Sequence, residues 1–418
     1  MKPMGAMKSM DAMDPVDRMD PVDAMDPVDR MEPLDGIEAM DELEGYRERG
    51  RRRRRRAVRV AIFSDALPER NGAGSYYEDL VDGLSASDVR IEIFQPARKR
   101  RWPGLAIPMP WDSTQRLVLP DVARVMSRYG RLRPDLVLSV TPGPFGLLGL
   151  AQARAHGTPF LTGFHTHFER LVGLYGGGLG SRLAHEVLDG LHRMLCRGSR
   201  AVLVHNEDLV DTVRRLGARE VEVMGTPLAS VFLEKPVARP TGTLDRVIFA
   251  GRLAPEKNLP AILEAARALP EIEFVLCGDG PLRSEVEGAA RALPNLRSTG
   301  WLDRTALREE LDAADLLLLP SHIETFGTVA LEAMARGRPA LVASSAGILR
   351  WPELTPALFQ LEEDVPLARA LRRLRTLPPV VWIERARIAR RAAEKLHRRT
   401  LAQWIACFDR HTEIPDEA

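Results

Sequence analysis

The chain has 418 residues, 45% of them hydrophobic and 28% charged, enough to bury more than one core and consistent with two domains. Its formal net charge of +1 argues against a dedicated nucleic-acid binder. Three cysteines, Cys196, Cys277 and Cys407, are odd in number and far apart, which supports neither a disulfide framework nor a cysteine zinc site and fits a reducing cytoplasm.

Residues 1–56 are read as a disordered acidic repeat tail followed by an Arg-rich segment. MDPVDR, MDPVDA, MDPVDR and MEPLDG repeat with period six from Met13 to Gly36. Asp and Pro at that density leave no apolar face, so the tract is expected to be disordered. Residues 1–46 hold 13 acids and 4 bases, a net of −9, whereas RERGRRRRRR at 47–56 holds 8 Arg and one Glu, a net of +7. The near-neutral total thus hides two opposite blocks. Either the tail binds a membrane, a polyanion or its own basic run, or translation starts later, since nine of the 14 Met precede residue 41. The acidic start lacks a signal-peptide pattern, and no apolar run approaches the roughly 18 residues of a spanning helix.

Order is expected from AVRVAIFSD (57–65), a continuous apolar run that predicts a buried parallel strand. The chain then alternates. NGAGSYYEDLVDGL predicts loop then helix, VRIEIF strand, DVARVMSRYGRL helix, PDLVLSV strand, GPFGLLGLAQARAHG helix and TPFLTGF strand. LGSRLAHEVLDGLHRMLCRGS predicts helix, RAVLVH strand, NEDLVDTVRRLGA helix and EVEVMG strand. The Pro-rich PLASVFLEKPVARPTGT reads as a hinge. A second series follows: LDRVIFAGRL, EFVLCG, NLRSTG, DLLLLP and RPALVAS as strands, with helices PLRSEVEGAARAL, RTALREELDAA and GTVALEAMARG between them. Such alternation predicts an α/β chain of two doubly wound parallel sheets facing across a cleft, with function in the loops after the strands. The expected divisions are 57–235, 236–400 and a C-terminal helix and tail at 401–418 that can cross back to the first domain.

Three loops suit phosphate. GRLAPEKNLP (251–260) places Arg252 and Lys257 at a strand's carboxyl end. NGAGS (71–75) and FGTVA (326–330) each open a helix, whose free N–H groups and dipole favour anions. No nicotinamide fingerprint is present: CGDGPLR offers Gly278 and Gly280 but no third glycine, and there is no Walker sequence. A Gly turn before a helix also explains GDGP structurally. The chain has no Asp-x-Asp pair for a divalent metal, so a diphosphate would be met by Arg252, Lys257 and helix N-termini. GFHTHFERL carries His165 and His167 without companions for a zinc site.

In PSHIETFGTVALEAMARG (320–337), Glu324 precedes a helix and Glu332 lies inside it among apolar residues. Arg336 at i+4 offers Glu332 a structural partner. The alternative is that a buried carboxylate accepts from sugar hydroxyls, Glu332 from a nucleotide's ribose and Glu324 from the sugar being transferred.

GRLAPEKN, GDGP and ETFGTVALEAMARGRPALVAS together resemble the retaining glycosyltransferases of family 4 (glycosyltransferase group 1), which have the GT-B fold; Glu324 and Glu332 reproduce their E-x7-E spacing. FHTHFERLVGLYG resembles their acceptor-side loop and NGAGS their N-terminal glycine loop. The likeness covers about residues 58–410 and is strongest over 247–345. It implies an N-terminal acceptor-side domain and a C-terminal nucleotide-sugar-binding domain. By residue, it implies catalytic roles for Glu324, His165, Arg252 and Lys257. Donor binding would fall to Gly72, Arg252, Lys257, Thr325, Phe326, Gly327, Thr328 and Glu332. No metal or cofactor is expected beyond the substrate, a UDP- or GDP-sugar. The acceptor would be a lipid or glycan, an anionic membrane surface is a candidate partner through PARKRRWPG (96–104), and the location would be cytoplasmic, peripheral on the inner face. Two departures stand out: GTPLASVF lacks the family's acid or amide near the hinge, and SSAGILRWPE replaces its Gly-Gly and acid. A sugar phosphorylase or epimerase of the same shape, or a non-catalytic binder, are the alternatives.

Overall fold

The computed structural model describes residues 57–66, 72–96, 106–109, 112–164 and 179–412. The repeat tail, the Arg run, His165, His167 and most of the 96–104 loop therefore lie outside the described residues. The N-terminal part runs β1 (Val58–Phe63), α1 (Gly72–Gly83), β2 (Val89–Phe94), β3 (Ala106–Met109), β4 (Asp112–Val118), α2 (Val122–Leu132), β5 (Leu136–Ser139), α3 (Pro144–His156), β6 (Phe160–Phe164), α4 (Leu179–Gly198), β7 (Val202–Val204), α5 (Val210–Arg215), β8 (Val221–Val223) and α6 (Ser230–Leu233). The C-terminal part runs β9 (Arg246–Ala250), α7 (Leu259–Ala268), β10 (Glu273–Cys277), α8 (Arg283–Ala292), β11 (Leu296–Gly300), α9 (Arg304–Ala313), β12 (Leu316–Leu319), α10 (Thr328–Ala335), β13 (Ala340–Ala343), β14 (Leu358–Leu361), α11 (Leu367–Arg375) and α12 (Pro379–Thr412).

Each part is built on a six-stranded parallel sheet. The orders are β2-β1-β5-β6-β7-β8 and β11-β10-β9-β12-β13-β14. The strands at the centres carry the apolar runs read in the sequence: Val60 to Phe63 and Leu316 to Leu319 are at most 1% exposed. Helices cover both faces of each sheet, as their separate apolar clusters require. In the second sheet the chain moves outward from β9 to one edge and returns to β12 for the other, so the crevice between β9 and β12 is the topological switch point.

The structure adds a β3–β4 hairpin, the edge strand β14 and helix α11, and the C-terminal helix expected from residue 401 begins earlier, at Pro379, as part of α12. The segment read as a plain hinge contains α6, and it is tied down. Arg336, 1% exposed, donates to the carbonyls of Phe232, Glu234 and Pro236 and makes a bidentate pair with Asp312 at 2.8 and 2.7 Å. At the start of the same segment, a Cβ on Gly225 would meet Thr400 Oγ1 at 2.0 Å, so only glycine lets the linker lie on α12.

α12 is one continuous helix of 34 residues, about 51 Å long at 1.5 Å per residue. Ala389, Ala393 and Leu396 pack in the C-terminal core, whereas Trp404, Cys407 and Phe408 complete the N-terminal core. Trp404 Nε1 donates to Tyr76 Oη at 3.0 Å, and Tyr76 Oη donates to the Gly225 carbonyl at 2.6 Å. Burial without loss of hydrogen bonds is what lets these two amphipathic rings sit in the core.

Candidate active site

The loops after β9 and β12 flank the switch point and carry most of the residues singled out from the sequence. Beyond β9, a short 3-10 turn at Pro255–Lys257 is followed by Asn258 with φ 53°, a left-handed conformation that Asn tolerates and that starts α7. This turn aims Lys257 across the crevice: its Nζ lies 2.7 Å from Glu324 Oε2. Arg252 pairs with buried Glu256 at 3.0 Å. The GDGP sequence supports this loop from behind. Leu253 N donates to the Asp279 carbonyl and Leu282 N to the Leu253 carbonyl, both at 2.9 Å. A Cβ on Gly278 would reach the Gly251 carbonyl at 1.8 Å, so its glycine serves close backbone contact.

The loop after β12 ends at Gly327, which caps α10 with φ 100° and offers no side chain to the helix. The carbonyl oxygens of Glu324, Thr325 and Phe326 are all taken, by Gly347 N, Asn206 Nδ2 and Ile348 N. Of the first-turn N–H groups, that of Ala330 donates to the Gly327 carbonyl at 2.8 Å; the others are the natural contact for an anion. The Phe326 ring itself turns into the core, 6.2 Å from the Trp351 ring, so this residue can serve a ligand only through its backbone. Thr328 is the first residue of α10 and is half-buried. Gly72 is the first residue of α1.

Glu332 does not pair with Arg336, which corrects one of the two readings of that glutamate. α10 ends at Ala335, and Arg336 leaves the helical path with φ −86° and ψ 11° to bind Asp312 and the linker. Among the described residues no donor bonds the Glu332 carboxylate. Burial, and then the charge of Asp79, push its pKa up to about 7 against the opposing effect of Arg304.

Three residues outside the sequence reading join the two halves here. Arg304, at the start of α9, pairs with Asp79 on α1 and donates to the Ser75 carbonyl at 3.4 Å. Asn206, in the turn after β7, holds the Thr325 carbonyl. The SSAGILRWPE segment, a departure from the resembled family, also spans the halves: Trp351 Nε1 donates to the His205 carbonyl at 3.1 Å, and Arg350 pairs with Asp208 at 2.8 Å. A Cβ on Gly347 would strike the Thr325 carbonyl at 1.8 Å, which explains the lone glycine there.

Among the described residues one cluster of ligating groups exists, Glu222 on β8 with Cys407 and His411 near the end of α12. His411 Nε2 lies 2.7 Å from Glu222 Oε1 and Arg410 Nη1 lies 3.0 Å from it, so the carboxylate is already neutralised by protein groups. No helix among the described residues is long and apolar enough to cross a membrane.

Known proteins resemble this chain in sequence and fold. The sequence profile described as Glycosyltransferase Family 4 matches residues 70–227, and that described as Glycosyl transferases group 1 matches residues 234–351. The sulfoquinovosyl transferase SQD2 of Arabidopsis thaliana is 25% identical over 260 residues, covering 60% of this chain and half of the relative's length. The GDP-mannose-dependent alpha-(1-6)-phosphatidylinositol dimannoside mannosyltransferase of Mycobacterium tuberculosis is 28% identical over 298 residues, covering 68% of this chain and 76% of the relative. Sucrose-phosphate synthase from Thermosynechococcus elongatus superposes with a TM-score of 0.66 at 17% identity, over 84% of this chain and 98% of that one, which establishes the GT-B fold. The two profiles meet at the linker between the two sheets, and each covers the half whose loops build this crevice: the chain belongs to the group 1 glycosyltransferases of glycosyltransferase family 4.

Proposed function

We propose that this protein transfers a sugar from a nucleotide-sugar donor to an acceptor hydroxyl with retention of anomeric configuration and without a bound metal. The observation that carries the proposal is the pairing of Lys257 with Glu324 across the switch point, beside an uncapped helix N-terminus. Arg252, Lys257 and the first turn of α10 would take the diphosphate, whose negative charge grows as it leaves. Preorganised donors aimed at developing charge are worth about 3–4 kcal/mol each in sites that exclude water. Glu324 would hold the transferred sugar, keeping Lys257 aligned until substrate arrives. Glu332 would accept from the ribose hydroxyls, since no described residue donates to its half-buried carboxylate. The acceptor hydroxyl would approach from the N-terminal domain, on the face the diphosphate leaves. His165 and Gly72 keep the acceptor-side and phosphate-side roles implied by the resemblance.

A lipid acceptor is the reading for the N-terminal domain. The mycobacterial relative is named for a phosphatidylinositol dimannoside substrate. On α4, Val187 and Met194 are exposed on one face, 53% and 46%, beside Arg197 and an Arg193 that pairs with Asp189. Basic-plus-apolar helix faces suit anionic lipid surfaces. The test is thermal stabilisation by UDP-, GDP- and ADP-sugars in EDTA, followed by transfer with the stabilising donor and determination of the product's anomeric configuration. One stabilising donor and a retained configuration are expected. Inversion, loss of turnover in EDTA or no stabilising donor would overturn the proposal.

A further inference from the structure

Asn206 stands at the N-cap of the short 3-10 turn Glu207–Leu209 that follows β7, with extended φ −157° and ψ 166°. Asn is favoured there because its side-chain oxygen can accept from the free N–H groups of the turn. This one makes no capping bond. Its Nδ2 donates instead to the Thr325 carbonyl, 119 residues away and in the other domain. The amide can face only one way round, because a carbonyl accepts and the nitrogen must meet it. That leaves Oδ1 buried with no partner among the described residues. A side chain 3% exposed that gives up its local bond and strands its oxygen is a poor support for its own turn. Nor is it needed to join the domains at this point. The flanking residues already do so, through Trp351 Nε1 to the His205 carbonyl at 3.1 Å and Arg350 to Asp208 at 2.8 Å.

What Asn206 grips is the loop between Glu324 and α10. The Glu324 carbonyl accepts from Gly347 N at 3.0 Å and the Phe326 carbonyl from Ile348 N at 2.9 Å, both within the C-terminal domain. The carbonyl between them belongs to Asn206. The C=O and N–H of a trans peptide point in opposite directions. The Thr325–Phe326 bond is trans, so holding its carbonyl toward the N-terminal domain aims the Phe326 N–H the other way. Among the described residues no acceptor is bonded to the N–H of Phe326 or of Gly327. The space for the contact comes from glycine: a Cβ on Gly347 would lie 1.8 Å from the Thr325 carbonyl and 2.6 Å from Asn206 Nδ2. The lone glycine of SSAGILRWPE thus makes room for a side chain of the other domain.

We propose that Asn206 is a positioning residue for the transferred sugar: it turns the Thr325–Phe326 peptide so that the Phe326 N–H faces the sugar and its leaving oxygen. This rests on the donor-binding role given above to the loop from Glu324 to Gly327. One wall of the sugar site, built wholly from the C-terminal domain, is then complete only when the N-terminal domain stands against it. Without the amide, the peptide is free to turn and its N–H is no longer aimed. Arg252, Lys257 and the first turn of α10 are untouched, so the nucleoside diphosphate still binds. The loss falls on the sugar and on the step in which its bond breaks.

The experiment compares the full chain with Asn206→Ala, Asn206→Leu and Asp208→Asn. Affinity for UDP, GDP and ADP is measured by calorimetry, and turnover by release of nucleoside diphosphate from UDP-glucose, GDP-mannose and ADP-glucose. Leu keeps the branched shape of Asn but has no donor. Asp208→Asn cuts the neighbouring half-exposed ion pair with Arg350 and controls for the turn itself. For the donor that wild type turns over, Asn206→Ala and Asn206→Leu should each lower kcat about 10–100-fold, somewhat less than deleting a transition-state donor outright. Both should bind the free nucleoside diphosphate within about twofold of wild type, and Asp208→Asn should stay within about twofold in both measurements. Turnover of Asn206→Leu near wild type would mean that the side chain serves by shape, and would overturn the inference. So would an equal loss of turnover and nucleoside diphosphate affinity in Asn206→Ala and Asp208→Asn, since the contact would then be one more tie between domains. Either result leaves sugar transfer standing. A wild type that releases nucleoside diphosphate from none of these donors sinks the transferase reading and the inference with it. Should Asn206→Ala not fold, the comparison of Asn206→Leu with Asp208→Asn decides the matter.

Discussion

Replacing Glu332 with Gln should make the ligand-free protein more stable, and more so as the pH rises. The carboxyl is held protonated up to about pH 7 in the fold, against 4.5 in the unfolded chain. Below pH 4.5 both states are protonated and the site costs nothing. Between 4.5 and 7 the unfolded chain ionises while the folded chain does not, so stability falls with rising pH; above 7 the cost is complete. A shift of about 2.5 units corresponds to about 3 kcal/mol at 1.36 kcal/mol per unit, an upper figure because the side chain is only half-buried and water screens part of it. Gln fills the same space, stays neutral, and gives up no hydrogen bond from a described residue. Urea unfolding of both proteins without ligand should therefore give a Glu332→Gln advantage of about 0–1 kcal/mol at pH 5 that grows to about 2–3 kcal/mol at pH 8. A gain that is the same at both pH values, or a loss at pH 8, would refute the reasoning that this acid is kept in the fold at the expense of stability. Such exchanges are common where a site must be ready for a ligand that supplies the missing partners.

Glu324→Gln should lower kcat about 10²–10³-fold with less than about threefold change in the affinity for free nucleoside diphosphate, whereas Lys257→Ala should lower kcat by a similar factor and also weaken nucleoside diphosphate binding, measured by donor-saturation kinetics and calorimetry. Because the two side chains are paired at 2.7 Å, the double variant should lose much less than the product of the single losses. Arg336→Met should destabilise the protein by about 3–5 kcal/mol in urea unfolding, since it strands Asp312 and three linker carbonyls, yet leave turnover per folded molecule near wild type.

The legible parts of the fold were those fixed by local pattern. Buried parallel strands announce themselves as unbroken apolar runs, and LLLL at 316–319 could be little else. The E-x7-E spacing was visible because it sits on one loop and one helix. What failed was an inference by helical geometry carried one residue too far: Arg336 follows Glu332 by four positions, but α10 stops at Ala335 and the arginine swings to the linker. β14 was missed because LFQL is short and follows two 3-10 turns without a helix between. The Arg304–Asp79 contact had no sequence signal, since 225 residues separate its members and each alone reads as a solvated helix charge. The SSAGILRWPE departure was seen, but its reason appeared only with the second domain in place, where Arg350 and Trp351 grip the turn after β7.

The route of α12 also bears on how this molecule is made. A ribosome delivers the first sheet long before the last helix, yet Trp404, Cys407 and Phe408 fill the face of that sheet alongside Tyr76 and Tyr77. β8 ends at Val223, so some 180 further residues must be translated before the closing side chains exist. At about 5–20 residues per second that is on the order of 10–40 s during which the nascent N-terminal domain carries an open aromatic face. Domain-by-domain maturation, the usual course for a two-part chain, is therefore not available to the first half; it can collapse early, but it reaches its final packing only after the C-terminal domain has been synthesised and the crossing helix has come back to it.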